Sequence, residues 1–335
     1  FAHNSDLRAA MKLFLLLKPC RPDGLIISDS GVYSLAKKLV PEIPVHISTQ
    51  ANNTNYATYL FWYEQGVRRV VSARELSLQE LTDIRANIPE DMEIETFVHG
   101  AMCISYSGRC LISSFLTGRD ANLGACTHPC RWKYSLMEEK RPGRYMPVFE
   151  DERGTYLYNS KDLCMIGHLP ELIRAGISSF KVEGRMKTAL YVATVTRAYR
   201  TAIDEYFEDP ARYQSRLPWY LEEVRKCTTR PFCTGFFFGR PDETDQIYDS
   251  NTYEQTYVYL GTIAMEDGRP YLLQKNKFAV GEELEVMRPD GSNLRAVVKS
   301  LTDEEGQAVA DAPHPGQKLY PDLGLALQEY DILRR

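Results

Sequence analysis

The 335-residue chain lacks any apolar run able to cross a bilayer: near its start the longest, Leu13 to Leu17, has five residues, against about 20 needed by a membrane helix. No charged, apolar and small-residue leader precedes that run, so the sequence reads as cytoplasmic, with no membrane partner. The signatures of common hydrolases are missing too. No His-Glu-x-x-His occurs, none of the six histidines is followed by a glutamate, and there is no Gly-x-Ser-x-Gly elbow. Low-complexity stretches are also absent. With 44% hydrophobic and 25% charged residues the composition is that of a globular protein, and the 21 tyrosines are its one excess.

What the chain does have is eight cysteines, four of them packed between Cys103 and Cys130. In a chain of this size without an export signal, that usage points to metal or redox chemistry rather than a disulfide framework. The surrounding loop, residues 100–132, is rich in glycine and poor in helical or strand periodicity. Gly100, Gly108, Gly118 and Gly124 give the backbone freedom to bend around a soft-ligand centre. Buried free thiols are the bland alternative.

At this length two domains are expected, since one core rarely grows beyond about 250 to 300 residues. The net charge of −5 is unevenly spread. Residues 101–149 carry seven Lys/Arg against three Asp/Glu, and residues 174–200 carry six against one, so a basic face on an acidic body suits a polyanion such as RNA. A solvated charged face accounts for the same counts.

The pattern to residue 99 is one of repeated βα units. Strands are expected at residues 23–28, 44–49, 68–73 and 93–99, with helices at 31–39, 55–65 and 78–88, the last opened by Ser77 with Glu80 three residues on. The opening helix is capped by Asn4 or Ser5 and reaches Pro19. After the cysteine loop, a hairpin is expected over 144–160, then a helix from Lys161 to about Ala175 with Cys164 in its first turn, a last strand at 177–182 and a long amphipathic helix at 184–207. From about Tyr257, short alternating strands broken by Asp267-Gly268, Val280-Gly281 and Asp290-Gly291 read as a small antiparallel barrel or sandwich. The expected domains are therefore 1–208, a bridge at 209–254, and 255–335.

Polar residues end successive strands: Asp29, then Gln50 and Asn52, Arg74 and Glu75, His99, and finally Lys181, Glu183 and Arg185. Parallel strands deliver such groups to one rim, which makes these residues the candidate site beside the cysteine loop. Each also has a structural explanation: Asp29 and Asn52 as helix caps, Arg74 and Glu75 as a surface ion pair, His99 as a core histidine.

The runs ETFVHGAMCISYSGRC, LISSFLTGRDANLGACTHPCRWKY, NSKDLCMI and FKVEGRMKTALYVATVTRAYR resemble family thirty-two of the peptidases of unassigned catalytic type, the collagenase-like proteases. Bacterial members of that family include tRNA 5-hydroxyuridine modification proteins. The resemblance implies an α/β fold, a parallel TIM-barrel-like series of βα repeats followed by a small antiparallel β-barrel domain. About three first units are absent from this chain, so it looks truncated and implies completion of the barrel by a partner chain or a homo-oligomer. Also implied is a 4Fe-4S iron-sulfur cluster on Cys103, Cys110, Cys126 and Cys164, with Cys130 a thiol able to substitute for one of them. Zinc suits four thiolates equally, with His168 one turn after Cys164 as a further ligand. Cys20, Cys227 and Cys233 match no cluster position. The implied reaction is prephenate-dependent 5-hydroxylation of a tRNA wobble uridine, with Arg109, Arg119, Arg131, Lys133, Arg185 and Lys187 contacting the RNA. A collagenase-like peptidase using Cys103 and His99, and a non-catalytic RNA-binding or scaffold module, are the alternatives.

Overall fold

Short apolar strands need cover on both faces, and helices with firm caps between them supply it. The computed structural model describes residues 2–102, 110–119, 121, 124–132, 135–137, 145–147, 160–185, 187–227, 229–241, 245 and 256–335. The polypeptide divides into two compact units, Phe1–Met186 with Arg230–Thr252, and Lys187–Thr229 with Tyr253–Arg335.

In the first unit, α1 (Asn4–Cys20) precedes β1 (Leu25–Ile27), α2 (Ser30–Leu39), β2 (Val45–Ile47), α3 (Tyr56–Glu64), β3 (Arg69–Val71), α4 (Leu78–Ala86) and β4 (Glu93–Ala101). The caps are local chemistry. Asp29 accepts the Val32 N–H at 2.8 Å, Asn55 accepts that of Thr58 at 3.0 Å, and Ser77 and Glu80 form the expected capping box. The first helix differs: its cap is His3, whose N–H donates to Asp6 at 2.8 Å, rather than Asn4 or Ser5. Strands β1, β2, β3 and β4 pair in parallel in that order, in registers such as Ile27↔Ile47 and Val70↔Ile94.

After β4 come α5 (Ile112–Thr117), the short hairpin β5 (Ser135–Met137) with β6 (Tyr145–Pro147), then β7 (Asp162–Cys164), α6 (Leu169–Arg174) and β8 (Ser179–Val182). Most of the hairpin expected over 144–160 lies outside the described residues. β8 runs parallel to β4, from Glu95↔Ser179 to His99↔Val182. β7 instead lies antiparallel to the end of β4, with His99 opposite Cys164, and takes a parallel partner in β9 (Phe232–Cys233). The sheet is therefore a mixed one whose parallel part is open: among the described residues the series does not close into the barrel implied by the resemblance.

Cys164 thus lies on a strand, not in the first turn of a helix. Asp162, Leu163 and Cys164 are all buried, which a one-sided helical first turn would not allow, and their backbone is taken up by β4 and β9. The helix starts only at Leu169, after a turn of 3-10 helix at Ile166–His168 and with Pro170 in its first positions.

In the second unit α7 (Ala189–Glu208), capped by Thr188, is followed at once by α8 (Pro210–Arg225), capped by Asp209. Residues 210–225, expected as part of a bridge, are thus a helix opened by Pro210, while 230–241 contribute β9 to the first unit's sheet. The remaining strands are β10 (Tyr259–Glu266), β11 (Arg269–Gln274), β12 (Phe278–Ala279), β13 (Glu283–Met287), β14 (Asn293–Val297), β15 (Ser300–Thr302), β16 (Ala308–Val309), β17 (Asp311–Ala312), β18 (Lys318–Asp322) and β19 (Ile332–Arg334). Eight form an antiparallel sheet in the order β14-β13-β19-β10-β11-β18-β15-β16 over a core that includes Leu260, Ile263, Leu272, Val286 and Leu333. Asp267 and Gly268, at φ 48° and 77°, make the tight turn between β10 and β11 that their sequence predicts.

Charge ties α7 and α8 to this sheet. Arg334, fully buried on β19, donates to Glu223 of α8 at 2.6 Å and to Glu285 of β13 at 2.5 Å. Arg197 of α7 also binds Glu223 and reaches the carbonyls of Arg288 and Ser292 at 2.9 and 3.1 Å, and Lys226 meets Glu285 at 3.1 Å. Burial raises the Glu223 carboxyl, but Arg334, Arg197 and Lys226 outweigh it and hold that carboxyl below the usual range. Among the described residues, no helix is long and apolar enough to cross a membrane.

Candidate active site at the strand ends

Phe97 of β4 organises the rim. The Arg74 guanidinium, from the turn after β3, lies 3.7 Å from its ring centroid, and the Lys181 ammonium, from β8, lies 5.4 Å away. Two cations, delivered by the chain segments on either side of β4, therefore share one aromatic ring. Arg74 is also 3.6 Å from Glu183, just past the end of β8.

Two residues back along the same side of β4, Glu95 receives Lys181 Nζ at 2.9 Å and the Ser179 hydroxyl at 2.9 Å, with Arg69 at 3.9 Å. Burial raises the Glu95 carboxyl, yet these partners overcome that and hold it below the ordinary carboxylate range. His46 on β2 is shifted down, first by burial and then by the charge of Arg69, against the opposing pull of Glu95 and Glu93. The face is thus a graded set of cations with one ionised, well-held carboxylate. Glu95, Phe97, Ser179 and His46 were not among the residues singled out from sequence. Alternation along β4, which places Glu93, Glu95 and Phe97 on one side before the register shifts ahead of His99, is the signal that marks Glu95 and Phe97; it does not mark Ser179 or His46.

The remaining expected residues take different places. Gln50 lies in a 3-10 turn after β2, its N–H bonded to the Ser48 hydroxyl at 3.3 Å, and Asn52 is the exposed left-handed residue that ends this turn at φ 63°. Its neighbour Asn53 does the positioning: fully buried, its amide donates to the carbonyls of Ser48 at 2.8 Å and Val71 at 3.0 Å, tying the ends of β2 and β3 together. Asp29 is the helix cap already described. Glu75 follows Arg74 and is partly buried, and His99 is buried with its ring edge-on to Phe232 at 5.4 Å.

The cysteine loop is fastened to this rim by two glycines. Gly100, at φ 118°, lets β4 pass so close to Glu183 that an added Cβ would sit 2.6 Å from the Glu183 carbonyl oxygen. At Gly124, φ 73°, any side chain would overlap the Arg185 guanidinium. A knot of hydroxyls braces the loop itself. Ser113 Oγ donates to the Arg119 carbonyl at 2.7 Å and accepts the Thr127 N–H at 3.0 Å, while Thr117 and Thr127 hydroxyls meet at 3.1 Å. Ser113, Thr117 and Thr127 carry no sequence signal that separates them from other loop hydroxyls.

Cys110 is buried just before α5, Cys126 precedes Thr127, Cys130 is half-buried in the 3-10 turn Pro129–Arg131, and Cys164 is buried opposite His99. Cys126 Sγ accepts the His128 N–H at 3.3 Å. The donor chemistry suits a thiolate-bound centre. Among the described residues, however, no three His, Cys, Asp or Glu side chains are grouped as metal ligands, and Cys103 lies outside them. His168 Nδ1 is 3.7 Å from Glu171 and its ring lies against Phe238 at 4.8 Å. Burial pushes the Cys227 thiol up to about 12 and that of Cys233 up to about 11, as inert structural thiols require. Of the expected RNA contacts, Arg119 is exposed and Arg185 lies on Gly124, while Lys187 belongs to the second unit, over Tyr191 at 4.9 Å. Arg131 lies on the 3-10 turn, and Arg109 and Lys133 fall outside the described residues.

Fold and site together define an α/β protein with a thiol-bearing loop seated on a cationic rim of parallel strand ends, and with an antiparallel β-rich second unit. The chain belongs to peptidase family U32: the family model matches residues 1–247, and the model of the family's C-terminal domain matches residues 255–334. It is similar to a tRNA hydroxylation protein of Bacillus subtilis, 36% identical over 332 residues covering 96% of this chain and 78% of that protein. Similarity to tRNA hydroxylation protein P of Escherichia coli is also 36%, over 99% of this chain and 82% of the relative. A 23S rRNA 5-hydroxycytidine synthase of Escherichia coli is 37% identical over 62% of this chain and 30% of its own length.

Proposed function

We propose that this chain hydroxylates a pyrimidine of RNA, at position 5 of a tRNA wobble uridine, with an iron-sulfur cluster held by Cys103, Cys110, Cys126 and Cys164 and with prephenate as co-substrate. The observation that carries the reading is the seating of the thiol loop on the strand ends, through Gly100 against Glu183 and Gly124 against Arg185, beside the paired cations Arg74 and Lys181. Relatives named for tRNA and rRNA hydroxylation, matched over as much as 99% of this chain, support it. A bound cluster would supply electron transfer, which side chains alone cannot. The chain's own residues would do the rest. Arg74 and Lys181 offer positive charge to the carboxylates of the co-substrate, Glu95 and Glu183 orient those two cations, and the basic residues of the loop hold phosphate. Arg119 is among them.

The test is genetic and chemical. Cells deleted for the gene should lose a 5-hydroxylated pyrimidine by nucleoside mass spectrometry. Wild-type protein should restore it, and Arg74→Ala or Cys126→Ser should not. Unchanged nucleosides together with metal-independent cleavage of denatured collagen by the purified protein would replace this reading with a peptidase.

A further inference from the structure

Helix α5 turns its apolar side to solvent. Leu111, Phe115 and Leu116 are 67%, 88% and 44% exposed, and Trp132, directly after the 3-10 turn that packs on this helix, is 48% exposed. Isolated exposed apolar residues are ordinary, but here four lie on one short loop. A helix of six residues would not persist by its own hydrogen bonds. It persists because Ser113 and Thr117, on its opposite side, are knotted to Arg119 and Thr127. Leu111 and Phe115 are four apart and so are Ser113 and Thr117, and the two pairs differ by two residues, about 200° around the helix. Bracing of one side therefore fixes Phe115 in an outward position.

We infer that Phe115, framed by Leu111 and Leu116, is the platform on which an unpaired base of the RNA substrate stacks. This rests on the RNA reading of the site and names the part of the RNA that the loop engages. Charge selects the occupant. Arg119 is exposed two residues beyond α5, and Arg185 lies over Gly124 of the same loop. A purely apolar protein partner gains nothing from these two cations, whereas a nucleotide brings a π-face for Phe115 and a phosphate for the arginines. An aromatic ring accepts any base, so the platform adds affinity for unpaired RNA without reading its sequence.

The experiment compares binding of the purified full chain to an RNA stem-loop with an unpaired loop and to a fully paired duplex of the same length, across a salt series. Phe115→Ala should weaken stem-loop binding by about 5- to 150-fold, the range given by loss of one base-aromatic stack, and leave duplex binding and the salt slope unchanged. Phe115→Trp should bind the stem-loop as wild type does. Arg119→Ala should weaken both RNAs and reduce the log-log salt slope by about 0.7 to 0.9. Because Phe115 is 88% exposed, circular dichroism and melting should be the same in all variants. If Phe115→Ala binds both RNAs like wild type while binding stays salt-dependent, the platform is wrong and the RNA reading stands. If wild type binds neither RNA, the RNA reading itself fails and the platform with it. Loss of self-association in Phe115→Ala, seen by sedimentation with RNA binding intact, would make this face a protein interface and overturn the proposal.

Discussion

A single methyl group at residue 100 would meet backbone, not a movable side chain. The φ of 118° and the Glu183 carbonyl 2.6 Å from an added Cβ make Gly100→Ala strained twice over, so a loss of about 2 kcal/mol or more is expected in urea denaturation. Gly118→Ala is the control: its φ is 66° but no atom lies within 4 Å, and about 1 kcal/mol is expected from the left-handed backbone alone. Glu95 offers a second test. Its carboxyl is held below the ordinary range in the folded chain, so the stabilisation is complete above the unfolded value of about 4.3 and is lost as pH falls through the lower folded value. Glu95→Gln should therefore be less stable than wild type at neutral pH, with the gap closing below about pH 4. A gap that stays constant with pH would show that Lys181 and Arg69 do not act through this charge.

At the scale of elements, β7 and α5 carry the thiol loop. Cys164 on β7 and Cys110 and Cys126 around α5 should each be needed for metal, whereas Cys227, buried with a thiol pushed up to about 12, should not. Anaerobically prepared Cys110→Ser, Cys126→Ser and Cys164→Ser should lose iron and acid-labile sulfide, and Cys227→Ser should keep both. Zinc without sulfide in the wild type would favour the zinc alternative. The misplacement of Cys164 in a helix has a physical origin. Three consecutive buried residues carry no period, and Pro170, which marks the true helix start, lies six residues further on.

At the scale of the whole molecule, buried charge joins helices to sheet within the second unit. Glu223 has no solvent exposure and meets Arg197 and Arg334, so Glu223→Ala removes the buried carboxylate that Arg197 binds and leaves Arg334 with Glu285 alone. That should cost about 3 to 5 kcal/mol. Hydrogen exchange should localise the effect to the amides of α7, α8, β13 and β19, with the parallel sheet unaffected. A change spread equally through both units would show that this network does not act within the second unit alone.

Local rules made much of this protein legible from its residues. Capping by Asp29 and Ser77, the turn at Asp267-Gly268 and the repeated βα pattern depend on neighbours a few residues away, and they stand in the structure as the sequence predicts. Strand ends pointing one way likewise put Arg74, Lys181 and Glu183 together. Long-range partners decided what local rules could not. Pairing of β7 with β4 and β9 made Cys164 a strand residue, and the buried Arg197–Glu223–Arg334 contacts join α7 and α8 to the sheet of the second unit. Whether a charged side chain ends in water or in a buried network depends on a partner up to 111 residues away, as for Glu223 and Arg334, and no periodicity within a segment encodes that distance.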